Sequence, residues 1–84
     1  MPEISRFYGI TIKMYFSQNE HNTPHIHIIY DKYSAAMDIR TLNIIDGNIP
    51  EKAYNMVKEW VEINKKELLN IWNSQKFKKI TPLE

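Results

Sequence analysis

The stretch HIHIIYDKYSAAMDI, residues 25–39, decides the fold because apolar and polar side chains alternate along it. Alternation with a period of two, in β-branched and aromatic residues, is typical of strands that bury one face. Asp31 and Lys32 interrupt the alternation and favour a two-residue turn. The stretch therefore predicts an antiparallel hairpin with strands over about 25–30 and 33–39.

Two more segments extend this hairpin into a sheet. FYGITIKMYF alternates and predicts a strand over about residues 6–16, with Tyr8 in its buried row. The residues LNIID predict a fourth strand over about 42–46, after a second short turn at Arg40 and Thr41. Strands that follow one another through short turns predict a four-stranded antiparallel meander with one apolar face.

The period then lengthens to that of a helix, predicted over about residues 49–75. The apolar positions at helical spacing are Ala53, Val57, Trp60, Leu68 and Ile71. Trp72 widens this stripe and is expected in the core. Asn64 interrupts it, so the helix either breaks there or buries the amide with a partner, and one long helix is the prediction.

A one-sided sheet and a one-sided helix bury their apolar surfaces against each other, which predicts a two-layer α+β fold. Its 84 residues make a single domain, 1–84, ending in a basic tail over 76–84 that we expect to be solvated. With 11 Lys and Arg against 10 Asp and Glu, the chain is not a broadly basic nucleic-acid binder.

The composition narrows the chemistry further. No cysteine is present, which excludes disulfides, thiolate zinc sites and thiol nucleophiles. The sequence begins without the basic flank and apolar run of a signal peptide, and it has no apolar run of the roughly 20 residues that span a membrane. We therefore expect a cytoplasmic protein with no membrane partner.

All the histidines, His21, His25 and His27, lie close together in the sequence. The two predicted turns set the register, which places His25 opposite Asp38, and Asp38 opposite Asn43. The same register puts these side chains on the sheet face away from the helix, while the isoleucines between them point inward.

This arrangement favours acid–base chemistry on RNA without a metal. One histidine would take the proton of a 2′-hydroxyl, the other would protonate the leaving oxygen, and a lysine would stabilise the charge on phosphorus. A carboxylate beside the ring would orient it. The predicted catalytic residues are His25, His27 and Asp38. The predicted substrate-binding residues are Lys13, Tyr15 and Asn43.

Two other interpretations use the same face. Two histidines at alternate positions of a strand, with His21 or Asp38 as a third ligand, would hold a divalent metal such as zinc. The metal-site candidates are His21, His25 and His27. Otherwise no cofactor is expected. Alternatively, the face is a non-catalytic surface for a protein partner, with Tyr15 and Ile29 among the contacts. The sequence leaves open whether the chain forms a homo-oligomer.

The segments MPEISRF, HNTPHIH, GNIP and the helix with W and ELLNIW occur in an order that resembles the bacterial family called domain of unknown function 4160. The resemblance covers nearly the whole chain. It implies small cytoplasmic proteins, often encoded beside another small protein, with an association with toxin–antitoxin pairs. The matching positions are His21, Pro24, His25, His27, Tyr30 and Asp38.

One position departs from the family pattern, which implies a polar residue where this chain has Ile29. The resemblance implies no established activity. Together with the histidine cluster, it leads us to expect the toxin-like component of a two-protein operon, with a partner protein encoded nearby.

Overall fold

The computed structural model describes residues 3–14, 23–74, 76 and 78–83. Within them the sheet is antiparallel and its strands follow in chain order. The elements are β1 (Glu3–Phe7), β2 (Ile10–Lys13), β3 (His25–Tyr30), β4 (Tyr33–Asp38), β5 (Ile44–Asn48) and the helix α1 (Glu51–Ser74). The predicted α+β class is confirmed, but the described part of the sheet has five strands and not four.

The extra strand arises because the predicted strand over 6–16 is in fact a hairpin. Tyr8 and Gly9 form its turn, with φ of 50° and 79°. Two consecutive positive φ angles give the turn whose twist matches that of the flanking strands. Tyr8, expected in the core, is 59% exposed at the tip. Residues 15 and 16 of the prediction lie outside the described residues.

The hairpin of β3 and β4 has the predicted register. Tyr30 pairs with Tyr33 across the turn, and His25 pairs with Asp38 at the far end. Asp31 adopts a φ of 56° in the turn, which aspartate tolerates better than most residues. Ile26, Ile28 and Met37 are fully buried on the inner face, which α1 covers.

The connection from β4 to β5 is longer than predicted. In place of a two-residue turn at Arg40 and Thr41, the chain forms an irregular connection over 39–43. The Leu42 amide donates to the Asp38 carbonyl at 2.9 Å, and Leu42 has a φ of 68°. The fourth predicted strand therefore begins at Ile44 and not at 42.

A bulge then shifts the pairing of β4 and β5 by one residue. Met37 pairs with Ile44, but Ala36 pairs with Asp46, so Ile45 has no direct partner and is 51% exposed. Two residues opposing one is the defining feature of a β-bulge. Because side chains alternate along a strand, this shift reverses which residues of β5 face which side.

The helix α1 is kinked at Asn64, where φ is −110° and ψ is 17°. The Asn64 side-chain amide donates to the Trp60 carbonyl at 2.9 Å. That carbonyl is the acceptor that a regular helix would offer to the Asn64 backbone amide, and a side chain inserted into this ladder is a recognised cause of kinks. The predicted single long helix is therefore present but kinked at Asn64, and the Asn64 side-chain amide also has a partner.

The segment 78–83 packs against the domain, which corrects the prediction of a solvated tail. The Ile80 amide donates to the Ile4 carbonyl of β1, and the Trp60 indole donates to the Thr81 carbonyl, both at 2.9 Å. Ile80 is buried, although Lys76, Lys78 and Lys79 are exposed. In the described part of the chain, no helix is long and apolar enough to cross a membrane.

Candidate functional site

The candidate site lies on the outer face, which we define as the side of the sheet opposite to the buried side chains of Ile26, Ile28 and Met37. A row of directly paired residues crosses it from β2 to β5: Lys13 pairs with His27, His27 with Ala36, and Ala36 with Asp46. Neighbouring strands are about 4.8 Å apart, so the row spans roughly 14 Å. It places a lysine directly beside one of the predicted catalytic histidines.

His25 and His27 are in contact on this face. Their ring centroids lie 5.3 Å apart with the planes inclined at 64°. Alternate residues of a strand share a face, which explains the contact. The Nδ1 of His25 lies 2.7 Å from the Thr23 carbonyl oxygen. Because a carbonyl only accepts, Nδ1 carries a proton and Nε2 is the nitrogen left to exchange one.

Trp72 is a third aromatic member of the site. Its ring centroid lies 5.1 Å from that of His25, with the planes at 55°. Trp72 comes from the last turn of α1 and is only partly buried, although it also packs against the core. The sequence assigned Trp72 to the core alone, because helical periodicity does not reveal that the end of the helix reaches His25.

Two effects lower the pKa of His27 below its ordinary value. Burial is the larger, because it disfavours the charged ring, and the neighbouring His25 acts in the same direction. The carboxylate of Asp46 opposes them and raises the pKa. His27 is therefore mainly neutral at pH 7, the form that accepts a proton.

Asp38 is paired with His25 as predicted, but its carboxylate is hydrogen-bonded to the backbone of the following turn. The Oδ1 of Asp38 accepts hydrogen bonds from the amides of Arg40 at 2.7 Å and Thr41 at 3.1 Å. The Nδ1 of His25 is bonded to the Thr23 carbonyl and not to this carboxylate. Aspartate side chains in turns typically accept hydrogen bonds from the backbone amides that follow them.

Asn43 adjoins Asp38, as predicted, through the backbone. The Asp38 amide donates to the Asn43 carbonyl at 2.9 Å, and the Asn43 amide donates to the Thr41 hydroxyl at 3.3 Å. Asn43 is exposed. These bonds make it part of the connection that follows β4, at the end of the outer face where His25 lies.

Asp46 is the carboxylate that the sequence reasoning missed. The bulge places it opposite Ala36 on the outer face, two strands from His27. Ala36, between the two, is only 6% exposed. The signal in the sequence was the doublet Ile44–Ile45 followed by Gly47, since broken alternation next to a glycine is typical of a bulge.

Two predicted site residues, Tyr15 and His21, lie outside the described residues. Among the residues that are described, no group of three His, Asp or Glu side chains is placed to hold a metal ion. The predicted metal set of His21, His25 and His27 thus depends on a residue that is not described.

The fold and site define a small α+β domain with a histidine pair on one face of its sheet. The chain belongs to the family described as Domain of unknown function (DUF4160), whose model matches residues 9–73. That match includes β2 to β5, both described histidines and Trp72. No curated protein and no solved structure matches the chain.

Proposed function

We propose that this protein is a metal-independent ribonuclease that cleaves RNA by acid–base catalysis with His25 and His27. The observation that carries the proposal is the pair of imidazoles at 5.3 Å on the outer face, with Lys13 paired directly to His27. Cleavage of RNA by transfer within the phosphodiester requires two proton-transfer groups and a nearby cation.

In the proposed reaction, neutral His27 removes the proton of a ribose 2′-hydroxyl. The 2′-oxygen then attacks phosphorus, and the bond from phosphorus to the 5′-oxygen breaks. His25, in its protonated form, donates a proton to that leaving oxygen through Nε2. The products are a 2′,3′-cyclic phosphate and a 5′-hydroxyl, and the protons balance because one histidine gains what the other loses.

The neighbouring residues take supporting roles in this proposal. The Lys13 ammonium stabilises the charge that builds on the phosphoryl oxygens. Asn43, exposed at the His25 end of the face, contacts the substrate. Asp38 supports the site indirectly, because it fixes the turn after β4. Tyr15 stays a predicted substrate contact.

Cleavage of an end-labelled RNA by purified protein, in the presence of a metal chelator, tests this proposal. We expect His25→Ala and His27→Ala each to slow cleavage by about 10²- to 10⁴-fold, the usual contribution of a general acid or base. Lys13→Ala should also slow it, whereas Lys32→Ala, which removes a lysine from the exposed turn after β3, should not. Wild-type protein that leaves RNA intact, or histidine variants as active as wild type, would refute the proposal.

The resemblance to the family supports a finer proposal about the cell. An RNA-cleaving protein encoded beside a small partner would act as the toxin-like component of a bacterial operon, in the cytoplasm where RNA is available. Expression should then arrest growth, and expression of His27→Ala should not. Co-expression of the neighbouring protein should restore growth.

One observation favours a second function, a non-catalytic docking surface for a protein partner. Ile29 is a partly exposed apolar residue on the outer face, two positions from His27. An apolar residue that shares a sheet face with two histidines resembles the centre of a protein interface. Ile29→Lys should then abolish binding of the neighbouring protein, with Tyr33→Lys, beside the β3–β4 turn, as the control. Unchanged binding by Ile29→Lys would reject this function.

A further inference from the structure

The second half of α1 ends at the histidine pair, where it contacts the His25 ring. That ring is in contact with His27 on its own strand and with Trp72 from α1, at 5.3 Å and 5.1 Å between centroids. Its Nδ1 is bonded to the Thr23 carbonyl. The contact with His27, the hydrogen bond to the Thr23 carbonyl and the contact with Trp72 thus each restrict the orientation of the His25 imidazole.

We infer that Trp72 is a positioning residue that fixes the His25 ring in the site, and that the kink at Asn64 sets the place of Trp72. The inference deepens the proposed function and rests on it for its catalytic consequence. Its structural part stands on the ring contact alone. Tilted aromatic rings with centroids about 5 Å apart attract each other in a preferred geometry, so the indole restricts rotation of the imidazole.

The position of Trp72 depends on the kink because Trp72 lies eight residues beyond Asn64. At 1.5 Å per residue this is a lever of about 12 Å. A change of about 20° in helix direction, the usual lower limit for a sharp kink, would displace Trp72 by about 4 Å. That displacement would separate the indole from His25, so the bond from Asn64 to the Trp60 carbonyl is part of the positioning device.

Catalysis is sensitive to such a displacement. A misplacement of about 1 Å in a reacting group can slow a reaction about 100-fold. Trp72→Ala should therefore lower RNA cleavage by about 10- to 100-fold, while Trp72→Phe, which keeps an aromatic ring, should retain most of it. Leu69→Ala is the matched control, because Leu69 is a partly buried apolar residue of the same helical segment that packs against the core.

The direct test is the NMR spectrum of the imidazole ring protons. In the wild type, the indole ring current should displace the His25 signals, which are assigned by their loss in His25→Gln. Trp72→Ala should return them towards the positions of a free histidine, and Asn64→Leu should do so without any change at residue 72. Leu69→Ala should leave them displaced. Unshifted His25 signals in the wild type, or signals unaffected by Trp72→Ala in a folded protein, would overturn the inference.

The two readouts separate this inference from the proposed function. If Trp72→Ala shifts the His25 signals but the wild type cleaves no RNA, the positioning contact stands and the ribonuclease fails. If the wild type cleaves RNA through His25, but folded Trp72→Ala is as active as Leu69→Ala and leaves the His25 signals displaced, the positioning role is rejected and the ribonuclease stands.

Discussion

At the scale of single residues, the outer face separates two carboxylates that the sequence alone does not distinguish. Asp38 is adjacent to His25, but its carboxylate accepts hydrogen bonds from two backbone amides of the turn that follows β4. Asp46 is two strands from His27 yet interacts with its charge across the small side chain of Ala36. Asp38 therefore stabilises the backbone of the turn, whereas Asp46 influences the pKa of the His27 imidazole.

Replacing Asp46 by Asn should lower the pKa of His27 further, because it removes a negative charge that favours the protonated ring. Asp38→Asn is the control and should leave the pKa of His27 unchanged. Titration of the histidine ring protons by NMR measures both. An unchanged pKa of His27 in Asp46→Asn would show that the two side chains do not interact across Ala36.

The lowered pKa of His27 also predicts how stability depends on pH. The unfolded chain has a histidine pKa near 6.5, so below that pH it binds a proton more readily than the folded chain does. The contribution of His27 to folding is complete above pH 6.5 and falls as the pH drops through the lower, folded-state pKa. We expect the stability difference between wild type and His27→Gln to shrink towards acid pH in urea unfolding. A difference that stays constant from pH 7.5 to 5 would contradict this.

At the scale of elements, the bulge between β4 and β5 determines which acid reaches the outer face. Gly47 follows this bulge and has a φ of 72°, and an added Cβ there would lie 2.2 Å from the Ser34 carbonyl oxygen. That distance is a backbone clash that no rotamer change relieves. Gly9 has a similar φ of 79°, but an added Cβ there would lie 3.7 Å from the Tyr30 ring, an ordinary contact.

These two glycines make a matched pair for a stability measurement. Gly9→Ala should cost about 1–2 kcal/mol, the usual penalty for a left-handed conformation with a Cβ. Gly47→Ala should cost more than that, about 3 kcal/mol or above, because the clash with the β4 backbone adds to the same penalty. Chemical denaturation of both variants gives the comparison. Equal losses of unfolding free energy in the two variants would mean that β5 can move away from β4 and relieve the clash without loss of stability.

The elements also show how far sequence reasoning reaches. The hairpin of β3 and β4 was predictable in register, because its alternation and its turn agree. The Tyr8–Gly9 turn was not predictable, because the alternation of apolar residues continues across it and suggests one longer strand. Regular alternation gives no sign that Asp46 lies on the outer face, because one bulged residue, Ile45, reverses the parity of the residues after it.

At the scale of the whole molecule, the core and the candidate site lie on opposite sides of the sheet. The inner layer holds the core, with the segment 78–83 laid along β1. The outer face carries the polar row from Lys13 to Asp46. The contact of Trp72 with His25 joins the layers, and it depends on the length and the kink of α1. Contacts of this kind depend on three-dimensional packing, which a pattern along the chain does not encode.

The central claim is that the two histidines transfer the protons of a reaction that starts at a 2′-hydroxyl. The most direct measurement uses DNA oligonucleotides that contain one ribonucleotide, each of the four bases in turn, incubated with chelator and purified protein. We predict cleavage only after the ribonucleotide, with a 2′,3′-cyclic phosphate product, and none by the variant that lacks both imidazoles. Equal cleavage of the all-deoxy oligonucleotide, or cleavage that survives the loss of both histidines, would contradict the account.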